Sequence, residues 1–162
     1  MEVHLFAGFP AAIEGFFTLN SVFEPHTEIK KKPMSLRDRT RRGEKVCKKV
    51  YGEKYSGLRS AMDQLHPEFS DWIIQDGYGK VLSRPGLSLK ERELVAMAVL
   101  AALGWRRQLN SHIAGSLNAG ASIGELEAVC KAILPYIRAS HAAELRRQIA
   151  RASRTFIPAK KV

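Results

Sequence analysis

The sequence predicts an all-α fold, a helical bundle around a buried helical hairpin. Three observations carry this reading. The run 94–103 (LVAMAVLAAL) holds only Leu, Val, Ala and Met, between a polar opening and Gly104. Helix formers, chiefly Ala, Leu and Glu, dominate the second half. No segment shows the apolar–polar alternation of a half-buried strand. With 162 residues, 45% of them hydrophobic, the chain suits one domain with or without an arm.

In chain order, residues 1–24 form a mostly apolar N-terminal helical arm. Gly8-Phe9-Pro10 interrupts its helical pattern, and Pro10 suits the first turn of a second piece. Ala11, Ile13, Phe16, Phe17, Leu19 and Phe23 then give a wide apolar face, expected to pack into a core. A membrane-surface helix is disfavoured, because the polar face lacks Lys and Arg, and no transmembrane run is expected. Residues 25–42 read as a basic linker, with Lys30, Lys31, Lys32, Arg37, Arg39, Arg41 and Arg42 and two prolines. A phosphate-binding arm is the sharper reading of that stretch, but aromatics to stack on bases are missing from it.

The main domain is expected over 43–154. Helices are predicted at 43–51, with Val46, Cys47 and Val50 on one face, and at 55–65, with Leu58, Met62 and Leu65 inward. His66-Pro67 marks a boundary, since a residue before proline avoids the helical region. A third helix follows at 68–80 with Phe69, Trp72, Ile73 and Tyr78. Ser83-Arg84-Pro85-Gly86 is a turn. Its Arg84 either grips a substrate carboxylate bidentately or caps a helix end.

Ser88, with Glu91 three residues on, makes a capping box that opens the hairpin's first arm. A helix apolar all round is expected to be buried on every side, and the run of ten is too short to span a bilayer, which takes about 20. Gly104 suits the left-handed position after a helix end. The second arm runs from about 107 to 119. A second capping box, Ser122 with Glu125, opens a helix to about 137, kinked or divided at Pro135. An amphipathic helix at 140–153 and a frayed basic tail, 155–162, close the chain.

Two candidate catalytic groups sit on the hairpin. Glu93 opens the apolar run and His112 lies nineteen residues on, in the other arm. An antiparallel hairpin brings them together near its seam, where a Glu–His pair serves proton transfer. The plainer reading is a surface Glu in a first helical turn and a core His bonded to a backbone carbonyl.

Residues 41–45 (RGEKV), 50–53 (VYGE), Tyr78-Gly79, 83–87 (SRPGL), 92–95 (RELV), Gln108-Leu109, Ser111-His112 and 117–120 (LNAG) resemble, in order and spacing, the carboxymuconolactone decarboxylase family. That family lies within the alkylhydroperoxidase D-like (AhpD-like) superfamily, and the resemblance implies its helical-bundle fold. The superfamily's peroxidase branch carries a CxxC between the Glu and the His. Here those two positions hold Trp105 and Gln108, so the redox nucleophile is gone while the Glu-to-His spacing is kept. The resemblance implies His112 and Glu93 as catalytic, with Arg84, Arg92, Trp105 and Gln108 binding substrate. It implies no cofactor, and a carboxylated lactone from aromatic breakdown as substrate. A thiol peroxidase or antioxidant activity, and a non-enzymatic oligomeric scaffold, are the alternatives.

The arm 1–24 itself resembles the family's closing segment, His-Leu-x-x-x-x-Gly-x-Pro-Ala-Ala, found here at the front of the chain. Residues 128–154 stand where that segment is normally found and lack its Gly-x-Pro break. A permuted order, or a remnant of an upstream domain copy, accounts for this arrangement.

The net charge of +10 fits an anionic substrate or ordinary basic faces; no nucleic-acid motif surrounds it, so no nucleic-acid partner is expected. Cys47 and Cys130 stand far apart without metal spacing and suit a reducing cytoplasm, though a disulfide between them stays open. No metal is expected. No signal peptide is evident. The apolar arms and the resemblance together lead to the expectation of a homo-oligomer, a trimer or hexamer.

Overall fold

The computed structural model describes residues 2–23 and 33–156. Among these the chain is helical, with no strand. Its helices are α1 (Val3–Val22), α2 (Leu36–Tyr51), α3 (Tyr55–Leu65), α4 (Pro67–Trp72), α5 (Leu89–Leu103), α6 (Arg106–Asn118), α7 (Ile123–Ile133) and α8 (Ala139–Thr155). A π-wound segment, Ile73–Leu82, continues α4, and a short 3-10 turn, Leu134–Tyr136, follows α7 at Pro135. The expected AhpD-like hairpin is α5 and α6, packed side by side.

The local punctuation predicted from sequence is present. Ser88 accepts from the Glu91 backbone N–H while the Glu91 carboxylate accepts from that of Ser88, and Ser122 with Glu125 repeats the arrangement. Gly104 ends α5 in the left-handed region at φ 75°. His66 is extended between α3 and α4, with Pro67 in the first turn of α4. In α1, Gly8 has φ 80° and breaks the helix into 3–7 and 9–22, with Pro10 at the start of the second piece.

Two apolar clusters form the core. One joins Met97, Leu100, Leu109, Ile113, Leu126 and Leu145 from α5 to α8. The other joins Cys47 and Val50 of α2 to Ile74, Tyr78 and Leu82 of the π-wound segment. These two elements meet backbone to backbone: a Cβ on Gly43 would lie 2.0 Å from the Ile74 carbonyl oxygen, and one on Gly79 would lie 2.2 Å from that of Arg39. Leu5 packs on the second cluster and Phe6 on the first, so the start of α1 lies along the seam between them.

Five expectations need correction. The basic linker was placed at 25–42, but α2 starts at Leu36, because Ser35 caps it by accepting from the Asp38 N–H. Residues 24–32, with the lysine run, and the tail beyond 156 lie outside the described residues. The hairpin arm is not buried on every side: Ala96, Met97, Leu100 and Ala101 face the core, whereas Val95 and Leu103 are exposed. α1, α6, α7 and α8 pack on α5 and leave the strip with Val95 and Leu103 uncovered. Nor does the wide apolar face of α1 enter the core, since Ile13, Phe16, Phe17, Leu19 and Phe23 are exposed and only Ala12 is buried. Leu65, expected inward, is exposed at the end of α3. A fifth concerns membrane spans: α1 is long and apolar enough to cross a bilayer by length and composition, a test that buried core helices and signal sequences also pass, and little of α1 is buried here. No transmembrane run was expected from the sequence.

The helices are tied at their ends by charge. Lys90 Nζ donates to Glu125 at 2.6 Å, joining α5 to α7, and holds that carboxyl down to about 2. Arg106 does the same for Glu144, joining α6 to α8, and that carboxyl is likewise held to about 2. Folded values below the ordinary 4.5 mean that these carboxylates stabilise the fold fully above that pH. Their contribution is lost as pH falls from 4.5 towards 2. Water screens both pairs, so thermal melting should fall modestly across that window, and Glu125→Gln should flatten part of the slope; an unchanged profile in the variant contradicts the assignment.

Candidate active site

The site is built where α5 and α6 face each other. Residues 92, 93, 96, 97, 100 and 101 form the inward stripe of α5, at helical spacing. On α6 the inward stripe is Leu109, His112, Ile113, Ser116 and Leu117. The antiparallel hairpin sets Glu93 opposite His112. The His112 Nδ1 lies 2.8 Å from Glu93 Oε2. Glu93 is 0% exposed and His112 6%. The plainer reading of Glu93 as a surface residue is thereby overturned: its stripe turns inward. His112 bonds the carboxylate through Nδ1, rather than a backbone carbonyl. When the carboxylate accepts, Nδ1–H donates, which sets the tautomer and leaves Nε2 to exchange a proton. Glu93 Oε1 is buried without a hydrogen-bond partner among the described residues.

The pair depends on Gly115. A Cβ there would lie 2.5 Å from Glu93 Oε2 and 2.7 Å from Val50 Cγ1, so the carboxylate occupies the volume of the missing side chain. Sequence reasoning passed over Gly115, although an isolated glycine inside a helix costs about 1 kcal/mol and usually has a packing reason.

Arg92 stands beside Glu93 on the same stripe, and its Nη2 donates to the Arg84 carbonyl at 2.9 Å and the Pro85 carbonyl at 3.1 Å. Its Nη1 donates to the carboxylate of Glu2, from the front of the chain. Both side chains are buried. Burial pushes the Glu2 carboxyl above its ordinary value, and Arg92 pulls it back only in part. One turn on, the Phe6 ring meets the His112 imidazole edge-on, centroids 5.1 Å apart and planes at 84°. Neither Glu2 nor Phe6 was singled out as a site residue from sequence, because no local pattern links residue 2 to residue 92.

The other candidates are placed differently. Arg84 reaches Arg92 through its backbone oxygen, while its side chain lines a cleft of ≈ 380 Å³ with Arg42, Lys45 and Lys49. Trp105 and Gln108 are exposed at the start of α6. Gln108 lies one turn before His112 on α6, whereas Trp105 is the non-helical residue just before that helix. The structure brings neither into a described contact with Glu93 or His112. Behind the site, Cys47, Tyr51 and Tyr78 cluster, and burial pushes the Cys47 thiol up to about 12, poor ground for a thiolate. Cys47 and Cys130 are both free and buried, in separate clusters, so the disulfide left open above is absent.

A family model described as the carboxymuconolactone decarboxylase family matches residues 67–151, half of the chain. That span holds Glu93, His112, Arg84, Arg92, Trp105 and Gln108. The chain belongs to the carboxymuconolactone decarboxylase family. A 4-carboxymuconolactone decarboxylase of Acinetobacter baylyi is 35% identical over 95 residues, covering 58% of this chain and 71% of that one. The family match continues through α7 and most of α8, across the segment that lacks the Gly-x-Pro break. It does not reach α1, so the likeness of the arm to the family's closing segment rests on its own residues. Glu2, Phe6 and Val50 reach this family's hairpin from outside the matched span.

Gly115→Ala should push Glu93 away from His112. Helix propensity favours the alanine by about 1 kcal/mol, but overpacking a filled site costs about 1–3 kcal/mol, so a net loss of stability is expected. Denaturant unfolding measures it, and a variant as stable as the parent would show that Glu93 sits elsewhere.

Proposed function

We propose that this protein decarboxylates a carboxylated lactone of the 4-carboxymuconolactone type, without a cofactor, in the breakdown of aromatic compounds. The buried Glu93–His112 contact beside the Arg92 guanidinium carries this reading. Family membership and the activity named for the Acinetobacter relative support the substrate class. Arg92, already oriented by two carbonyls, anchors the carboxylate that the product keeps. The carboxylate that leaves sits near the buried Glu93–His112 pair, where loss of hydration favours its departure. The bond between it and the ring carbon breaks, CO2 departs, and the electron pair passes through the ring double bond into the lactone carbonyl. His112 then delivers a proton through Nε2 to the carbon next to that carbonyl, and Glu93 holds the imidazole in place. The Arg84 side chain lines a basic cleft near the turn that orients Arg92, where an incoming anion is drawn towards the site.

The test is direct. Purified protein mixed with the lactone should consume it, followed by ultraviolet absorbance. His112→Asn should lower the rate by about 10²–10⁴-fold, the usual worth of a positioned acid or base. Glu93→Gln should lower it less, because the imidazole survives. No turnover by the folded parent, or full activity in His112→Asn, overturns the reading.

We infer further that the protein works as a homo-oligomer. Val95 and Leu103 on α5, Trp105 on the turn, and Phe9, Phe16, Phe17 and Phe23 of α1 leave large apolar side chains uncovered in one chain. Surfaces of this kind mark interfaces, and a second copy covers them symmetrically. Light scattering should give a trimer or hexamer; a clean monomer across the micromolar range contradicts it.

A further inference from the structure

The candidate catalytic pair is closed off by residues 2–6 of the same chain. Glu93, His112 and Arg92 are each at most 6% exposed. Two side chains at the start of the arm lie directly on them: the carboxylate of Glu2, the residue before α1, on the Arg92 guanidinium, and the Phe6 ring of α1 on the His112 imidazole. The two are one helical turn apart, so they present a carboxylate and a flat apolar ring on one side of the arm. We propose that residues 2–6 act as a built-in pseudosubstrate, in which Glu2 holds the place of a ligand's carboxylate and Phe6 the place of its ring. The site opens when a ring-bearing carboxylate displaces them. This rests on the reading of Arg92 as the carboxylate anchor.

The arm is set to leave. Its ion pair is incompletely satisfied: Glu2 Oε2 and Arg92 Nε are buried with no hydrogen-bond partner among the described residues. A buried pair in that condition repays little of its desolvation. Burial acts on the Glu2 carboxyl more strongly than Arg92 does. Gly8, at φ 80° and ψ 172°, sets 2–7 apart from the rest of α1, so the front piece swings without unwinding the whole helix. Beyond Gly8 the helix buries only Ala12. Arg92 keeps its own two carbonyl bonds when Glu2 departs, so the anchor stays oriented for an incoming anion. Ligand and arm compete for one guanidinium, so the apparent affinity for ligand falls by the fraction of time the arm is open.

The experiment uses the full chain with benzoate as probe, benzamide as the ring without charge, and acetate as the charge without ring. Hydrogen exchange reads the amides of 3–7, and calorimetry reads binding. In the parent, benzoate should speed exchange in 3–7, while benzamide and acetate at equal concentration should not. Glu2→Gln should speed that exchange without any ligand and tighten benzoate binding roughly 5- to 150-fold, the usual range of coupling between linked equilibria. Phe6→Ala should also speed the exchange, and circular dichroism checks that both variants stay folded. Unchanged exchange and unchanged benzoate affinity in both variants overturn the proposal. So does benzoate binding that leaves 3–7 protected, or no benzoate binding by any of the three proteins. Lactone turnover by the parent with no effect of Glu2→Gln on exchange or affinity sinks the pseudosubstrate alone. Displacement by benzoate with no lactone turnover sinks the decarboxylase reading alone.

Discussion

The contact between Glu93 and His112 is the constraint around which the hairpin is arranged. A carboxylate with no exposure is costly unless bonded, so whatever surrounds it must supply a donor and leave room. His112 supplies the donor across the α5–α6 seam, and Gly115 leaves the room. Ser116, one turn past His112, bonds the His112 carbonyl at 2.8 Å and fills the helix surface with a small side chain. The apolar clusters on either side keep water from the pair. In this arrangement the core and the site are one construction, since Met97, Leu100 and Leu109 pack on the same stripes that carry the pair.

Charge is distributed on the same plan. The inner charges, Glu93 and Arg92, are each bonded to a partner from another segment, as buried charges must be. The outer ones, Lys90 with Glu125 and Arg106 with Glu144, clamp helix ends where water screens them. Lys45, Lys49 and Arg84 form no ion pair among the described residues and face one cleft near the turn that orients Arg92. A basic surface beside the turn that holds Arg92 favours the approach of small anions.

The legible part of the site was its spacing. A separation of nineteen positions from Glu93 to His112, with a glycine stop between them, already places both near one seam of a hairpin. Periodicity assigned each arm its inward stripe only in part: an apolar run shows no preferred face, so nothing in residues 94–103 tells that Val95 and Leu103 turn outward. Gly115 was visible as an anomaly within a helix, and its meaning needed the carboxylate beside it. Glu2 and Phe6 were legible only as members of an apolar arm.

The sequence by itself determined the helices, their capping boxes at Ser88 and Ser122, the breaks at Gly8, His66 and Gly104, and the family. These are set by contacts within one or two turns, which residue type and spacing encode directly. Tertiary structure alone decided that α2 takes in part of the basic stretch, that Glu93 is wholly buried, and that α1 covers the pair instead of entering the core. It also decided the bond between Glu2 and Arg92, ninety residues apart. Such contacts depend on which surfaces the packed helices bring together. A side chain's neighbours across that distance leave no period in the chain, so they exist only once the fold does.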